Sequence, residues 1–125
     1  MKPKQKILVV EDEAPLANAS KDKFEREGFD VTIAPNGEIG LHLALKELPD
    51  MILLDIAMPV MDGLEMLKSL KNDEKGKKLR VMILTNYGDM DKFMEAKELG
   101  CNDYLIKAEW GMRDIVNRVK KLIGV

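Results

Sequence analysis

A single cysteine, Cys101, rules out an internal disulfide and a cysteine-cluster metal site. Nothing near it in sequence offers a base, so it is expected to be a small packing residue of the kind usual in reducing compartments. The only histidine, His42, sits inside LHLAL and reads as a partly exposed helix residue. No apolar run approaches the roughly 18 to 20 residues that span a bilayer, and the start, MKPKQKILVV, turns acidic at Glu11 before it could supply a signal-peptide core. The chain is therefore expected to be cytoplasmic and without membrane attachment. Neither sign of charge dominates: 20 Lys and Arg stand against 22 Asp and Glu, a net of -2, so no global basic field is available to hold nucleic acid. A glycine-rich phosphate loop is also missing. The residues after the first apolar run are EDEAP, which would repel phosphate unless a metal intervened, and no GxGxxG or Walker pattern occurs elsewhere.

What is present suits one folded domain, residues 1–125. At 125 residues, folding buries roughly two-thirds of the surface the unfolded chain exposes. An apolar share of 46% beside a charged share of 34% permits a packed interior under a solvated surface. Short runs rich in Ile, Val, Leu and Met recur at Lys6 to Val10, Asp30 to Ala34, Met51 to Leu54, Arg80 to Leu84 and Asp103 to Ile106. ILVV, MILL and VMIL are apolar at every position, which marks strands covered on both faces of a parallel sheet. Helical stretches are read at Pro15 to Glu27, Gly37 to Leu48, Leu64 to Asn72, Met90 to Leu99 and Met112 to Leu122. Gly28 and Gly100 suit left-handed C-terminal caps, and Pro49 cannot extend the helix it follows. Strand and helix alternating five times, with short connections, predicts an α/β chain with an open five-stranded parallel sheet and helices on both faces. KNDEKGKK, Lys71 to Lys78, reads as a solvated loop.

Polar residues end the apolar runs. Glu11 and Asp12 follow the first, Asp55 ends the third, Thr85 the fourth and Lys107 the fifth. In a parallel sheet these positions gather along the carboxyl edge, where such folds bind ligands. Singly, each has an ordinary explanation: Asp12 as a helix cap, Asp55 as a turn cap, Lys107 as a snorkelling side chain. Jointly they place three carboxylates and a lysine in one cleft, an arrangement that desolvation and mutual repulsion disfavour unless a cation sits there. Hard oxygen donors without His or Cys select Mg²⁺. Two enzyme classes are disfavoured. A haloacid-dehalogenase-type phosphatase needs a second acid two residues after its nucleophile, whereas Asp55 is followed by Ile56 and Ala57. A flavin-type electron carrier needs the missing phosphate loop.

ILVVEDE at 7 to 13, ILLDIAMPVMDG at 52 to 63, the ILT ending at Thr85 and LGCNDYLIKA at 99 to 108, in that order, resemble the receiver domains of two-component response regulators, the stand-alone chemotaxis type above all. The resemblance covers essentially the whole chain. It implies a flavodoxin-like, doubly wound (βα)5 fold with strand order 2-1-3-4-5. It implies that Asp55 accepts a phosphoryl group from a histidine kinase or phosphotransfer protein. It further implies that Asp12, Asp55 and the backbone carbonyl of Ala57 hold Mg²⁺, with Glu11 reaching it through water. Lys107 would pair with the phosphoryl oxygens, the Thr85 hydroxyl would close on one of them, and Tyr104 would be the aromatic that turns inward with Thr85. Met58, Pro59 and Gly63 would shape the loop beside the acceptor, Gly63 through a backbone conformation that other residues avoid.

The chemistry of these roles needs little beyond charge neutralisation, since Mg²⁺ and a lysine flanking a transferring phosphoryl group supply it. The expected protein catalyses only its own phosphorylation and dephosphorylation. It signals through a protein target docked on the face spanning residues 85–115, as a monomer or weak homodimer. The rival reading is a pseudo-receiver that does not cycle phosphate and acts as an interaction module. Some positions depart from the family's habit. Glu11 stands where Asp is commoner, and Asn86 is bulkier than the usual residue there. Ala57 and Tyr87 occupy positions that tend to set acyl phosphate lifetime. Lys107 precedes Ala108 in place of a proline with a cis bond, a geometry costing about 2.5 to 4 kcal/mol without proline.

Overall fold

Every apolar run becomes a strand: β1 (Lys6–Val10), β2 (Asp30–Ala34), β3 (Met51–Asp55), β4 (Val81–Thr85) and β5 (Asp103–Ile106). Between and after them lie α1 (Ala14–Arg26), α2 (Gly37–Glu47), α3 (Gly63–Lys71), α4 (Met90–Glu98) and α5 (Met112–Ile123). The computed structural model describes residues 4–56, 58, 61–85, 90–101 and 103–124, without the side chain of residue 108. All strand pairs are parallel and the order is β2-β1-β3-β4-β5, as expected.

Alternation along the strands divides the core into two layers. Leu8, Val10, Ile52, Leu54 and Ile83 pack with Ala44, Met66, Leu67, Leu70 and Ala96 of α2, α3 and α4. Ile7, Val9, Met51, Leu53, Met82, Leu84 and Leu105 pack with Phe24 of α1 and Ile115, Val116 and Val119 of α5. Both sheet faces are thus covered, which is why these strands carry no polar alternation. Each fully buried Leu, Ile or Met contributes about 1.5 to 3 kcal/mol from removal of apolar surface from water.

Two strands extend one residue beyond their apolar runs. Asp55 pairs with Leu84 and Thr85 pairs with Ile106, so both functional candidates sit inside the ladder. Gly28 and Gly100 have φ of 95° and 91°, the left-handed caps predicted for them. KNDEKGKK is more ordered than a solvated loop. Asp73 Oδ1 accepts from the amides of Lys75 and Gly76, both at 2.8 Å, and a 3-10 turn, Gly76–Lys78, follows with Gly76 buried. Cys101 is buried as expected, and burial raises its thiol pKa from the ordinary value of 9.0, so it is a packing residue and a poor nucleophile. His42 is exposed. Among the described residues no helix is long and apolar enough to cross a membrane, and no peptide bond is cis.

Candidate functional site

The chain order of the strands opens a crevice where β1 and β3 lie side by side, because the connections leave β1 and β3 toward opposite edges of the sheet. Glu11 extends β1 by one ladder bond, its amide donating to the Ala34 carbonyl at 3.0 Å. That bond fixes where the side chain enters the crevice, and Glu11 is only 6% exposed. Carboxylate oxygens of Glu11, Asp12 and Asp55 all lie within 4.8 Å of one another. Glu11 is buried, Asp55 half-buried and Asp12 exposed.

Lys107 reaches the same point from the end of β5. Its Nζ donates to Glu11 Oε1 at 2.6 Å, a charge-assisted bond across most of the chain's length. Glu11 Oε2 is buried and has no hydrogen-bond partner. Burial pushes the Glu11 carboxyl up, but the side-chain contact with Asp55, the Lys107 ammonium and a backbone hydrogen bond at Glu13 outweigh it and hold the group below its ordinary 4.5. A cavity of about 20 Å³, room for roughly one water, lies among Glu11, Ser20, Asp55, Leu84 and Lys107.

Three carboxylates against one lysine leave the cluster negative. The buried, unsatisfied Oε2 of Glu11 and an all-oxygen donor set fit a hard divalent cation such as Mg²⁺. Asp12 is not the N-cap residue of α1, a position held by Glu13, whose side chain makes no capping hydrogen bond. Ala57, expected to give a backbone carbonyl to the metal, lies outside the described residues, as do Pro59, Asn86 and Tyr87.

The hydroxyl-bearing end of β4 is arranged separately. Thr85 is 4% exposed and shares the strand face of Val81 and Ile83, the α3 and α4 side. Tyr104, in register with Ile83, packs into the same layer and stacks edge-on against Phe93 of α4, centroids 5.3 Å apart at 84°.

A family model described as "Response regulator receiver domain" matches residues 7–120. The chain belongs to the response regulator receiver family. Sporulation initiation phosphotransferase F of Bacillus subtilis (strain 168) is 37% identical over 119 residues, covering 95% of this chain and 94% of that one. Among solved structures, the receiver domain of Francisella response regulator 1452 superposes with a TM-score of 0.85 at 32% identity, covering 96% of this chain and 97% of that one. The Vibrio cholerae chemotaxis protein CheY4 gives a TM-score of 0.87 at 25% identity, covering 95% of this chain and 98% of that one. The receiver family works in phosphorylation-controlled two-component signalling, as a regulatory phosphoacceptor that meets histidine kinases or phosphotransfer proteins and downstream targets.

In this receiver domain one sequence expectation is corrected. Gly63 is not needed for an unusual backbone, since its φ is not positive. It is needed for closeness: a Cβ there would lie 2.5 Å from the Asp55 carbonyl oxygen and 2.8 Å from Ile56 Cα. Trp110, beyond the 3-10 turn Lys107–Glu109 that intervenes between β5 and α5, packs into the α1 and α5 layer, opposite that of Tyr104. Sequence reasoning missed three participants. Phe93 backs Tyr104, Ser20 lines the cavity beside Glu11, and Asp62 caps α3 by accepting from the Glu65 amide at 2.9 Å. Only Asp62 had a legible signal, an acid placed three residues before a glutamate at a helix start.

Proposed function

We propose that residues 1–125 form a single receiver domain that takes a phosphoryl group on Asp55 and signals by altered protein binding. The observation carrying this reading is the convergence of the Glu11, Asp12 and Asp55 carboxylates within 4.8 Å beside Lys107. An Asp55 carboxylate oxygen attacks the phosphorus of a kinase or phosphotransfer protein's phosphohistidine. The O–P bond forms as the P–N bond breaks, and the electron pair leaves on the imidazole nitrogen, which takes up a proton. Asp12, Asp55 and the backbone carbonyl of Ala57 would hold Mg²⁺, with Glu11 through water, and the ion would supply positive charge to neutralise the phosphoryl oxygens. Lys107 supplies the second positive charge at the acceptor.

Phosphorylation would make the crevice more negative, and in this reading the hydroxyl of Thr85, at the end of the strand next to β3, is the donor that answers it. By strand alternation Thr85 and Tyr104 share one sheet face, and Tyr104 stacks on Phe93, so in this reading a shift at Thr85 is passed along that face to α4. On that helix Met90 and Met94 are 70% and 48% exposed, an apolar pair suited to the docking face within residues 85–115. Thr85→Ala is expected to keep Asp55 phosphorylation while shrinking the phosphorylation-dependent change, typically about 1 to 3 kcal/mol of coupling.

Hydrogen exchange across residues 85 to 115, before and after incubation with acetyl phosphate and Mg²⁺, checks this. Altered exchange in the phosphorylated wild type and a muted response in Thr85→Ala support the switch. A phosphorylated wild type silent across 85 to 115 contradicts it. Failure to take up phosphate at all leaves the interaction-module reading.

A further inference from the structure

The corner between β2 and α2 touches both arms of the acidic site. At one end, the Ala34 carbonyl accepts the Glu11 amide at 3.0 Å. Two residues on, Asn36 caps α2, its side chain accepting from the Ile39 amide at 2.9 Å and its carbonyl from the Gly40 amide at 2.9 Å. Gly37, the first helical residue, is buried against the loop that follows Asp55. A Cβ at Gly37 would overlap the Met61 carbonyl oxygen and stand 3.0 Å from Met61 Cγ.

Capping does not explain this glycine, because Asn36 already performs it. Glycine is a poor helix former, about 1 kcal/mol worse than alanine in a helix interior. Its φ is not positive either, so what the position demands is space. The far end of the same loop is held by the Gly63 amide, which donates to the Ile56 carbonyl at 2.9 Å. Among the described residues after Asp55, the amides of Met58 and Gly63 both donate to the Ile56 carbonyl, and the backbone of Met61 lies against the start of α2.

We propose that Gly37 is a positioning residue for the phosphoacceptor loop: its missing side chain lets the capped end of α2 seat Met61, and so sets the geometry of the Mg²⁺ and phosphoryl site. The inference rests on the receiver function proposed above. Gly40 provides a control on the same helix. A Cβ there would meet Val10 Cγ2 at 2.9 Å and Met66 Sδ at 3.1 Å, core side chains and not the loop.

The test titrates Mg²⁺ into the full chain by amide chemical shifts and measures acetyl phosphate labelling by intact mass at saturating Mg²⁺. Gly37→Ala is expected to raise the Mg²⁺ dissociation constant on the order of tenfold, the scale seen when groups behind metal ligands are disturbed, and to slow labelling. Gly40→Ala is expected to melt lower while binding Mg²⁺ as wild type does. Gly37→Ala with unchanged affinity and labelling, or Gly40→Ala weakening Mg²⁺ equally, overturns the inference. Should Gly37→Ala fail to fold, Met61→Gly, which loosens the seat from the loop side without adding volume, is expected to weaken Mg²⁺ similarly, and wild-type affinity there overturns the proposal. A wild type that takes neither Mg²⁺ nor phosphate overturns the functional reading and this inference with it.

Discussion

Asp55→Asn is expected to take up no phosphoryl group from acetyl phosphate and Mg²⁺, where the wild type takes one. Asparagine keeps the size of the side chain and its place at the end of β3, paired with Leu84. It replaces an anionic oxygen nucleophile with a neutral amide, so the bond-forming step is lost while the fold is kept. The same change removes one charge from a cluster whose oxygens lie within 4.8 Å of one another, so the metal-free variant should melt no lower than the wild type. Intact mass and a thermal melt on the same sample separate the two effects. Labelling at the wild-type rate would remove Asp55 from its role, and a collapsed fold would make the loss uninformative about chemistry.

Lys107→Met is expected to have the largest effect on stability. Glu11 is 6% exposed and Lys107 23%, so the variant leaves a nearly buried carboxylate without its counter-ion. Breaking a fully buried pair costs about 3 to 5 kcal/mol, and the exposure of Lys107 reduces that here to roughly 2 to 3 kcal/mol. Acid should narrow the gap from both sides. In the wild type Glu11 sits below its ordinary 4.5, so the stability it contributes is present above about that pH and is lost as pH falls through the lower folded value. In the variant burial acts against a weaker opposition, Glu11 takes up a proton more readily, and the penalty fades as pH falls. Mg²⁺ offers a second rescue, since a ligand at about a hundred times its dissociation constant adds roughly 2.7 kcal/mol to any fold that binds it. Melts at neutral and mildly acidic pH in EDTA check the pairing. A variant as stable as wild type at neutral pH would mean that Glu11 and Lys107 do not depend on each other.

The sheet was legible in the sequence because its cause is local. Strands buried on both faces must be apolar throughout, and ILVV, MILL and VMIL are. The gathering of Glu11, Asp12, Asp55, Thr85 and Lys107 at one edge was legible for the same reason, since parallel strands share a carboxyl end. What the sequence hid depends on side-chain reach and on distances between elements. The Glu11 and Lys107 bond joins residues 96 apart, and nothing local announces which carboxylate the lysine selects. Gly63 reads as a turn glycine until the closeness of the Asp55 carbonyl is seen. Trp110 and Tyr104, six positions apart, fall in opposite layers because a 3-10 turn breaks the strand's alternation. Asp62 shows the opposite case, a cap whose pattern stood in the sequence three residues before Glu65.

The central claim is that the acidic crevice is a Mg²⁺-dependent phosphoacceptor, and intact mass of the wild type tests it most directly. Parallel incubations with acetyl phosphate, one in Mg²⁺ and one in EDTA, should differ: one phosphoryl group added with Mg²⁺ and none in EDTA. No added mass under either condition, or equal labelling in both, would contradict the account.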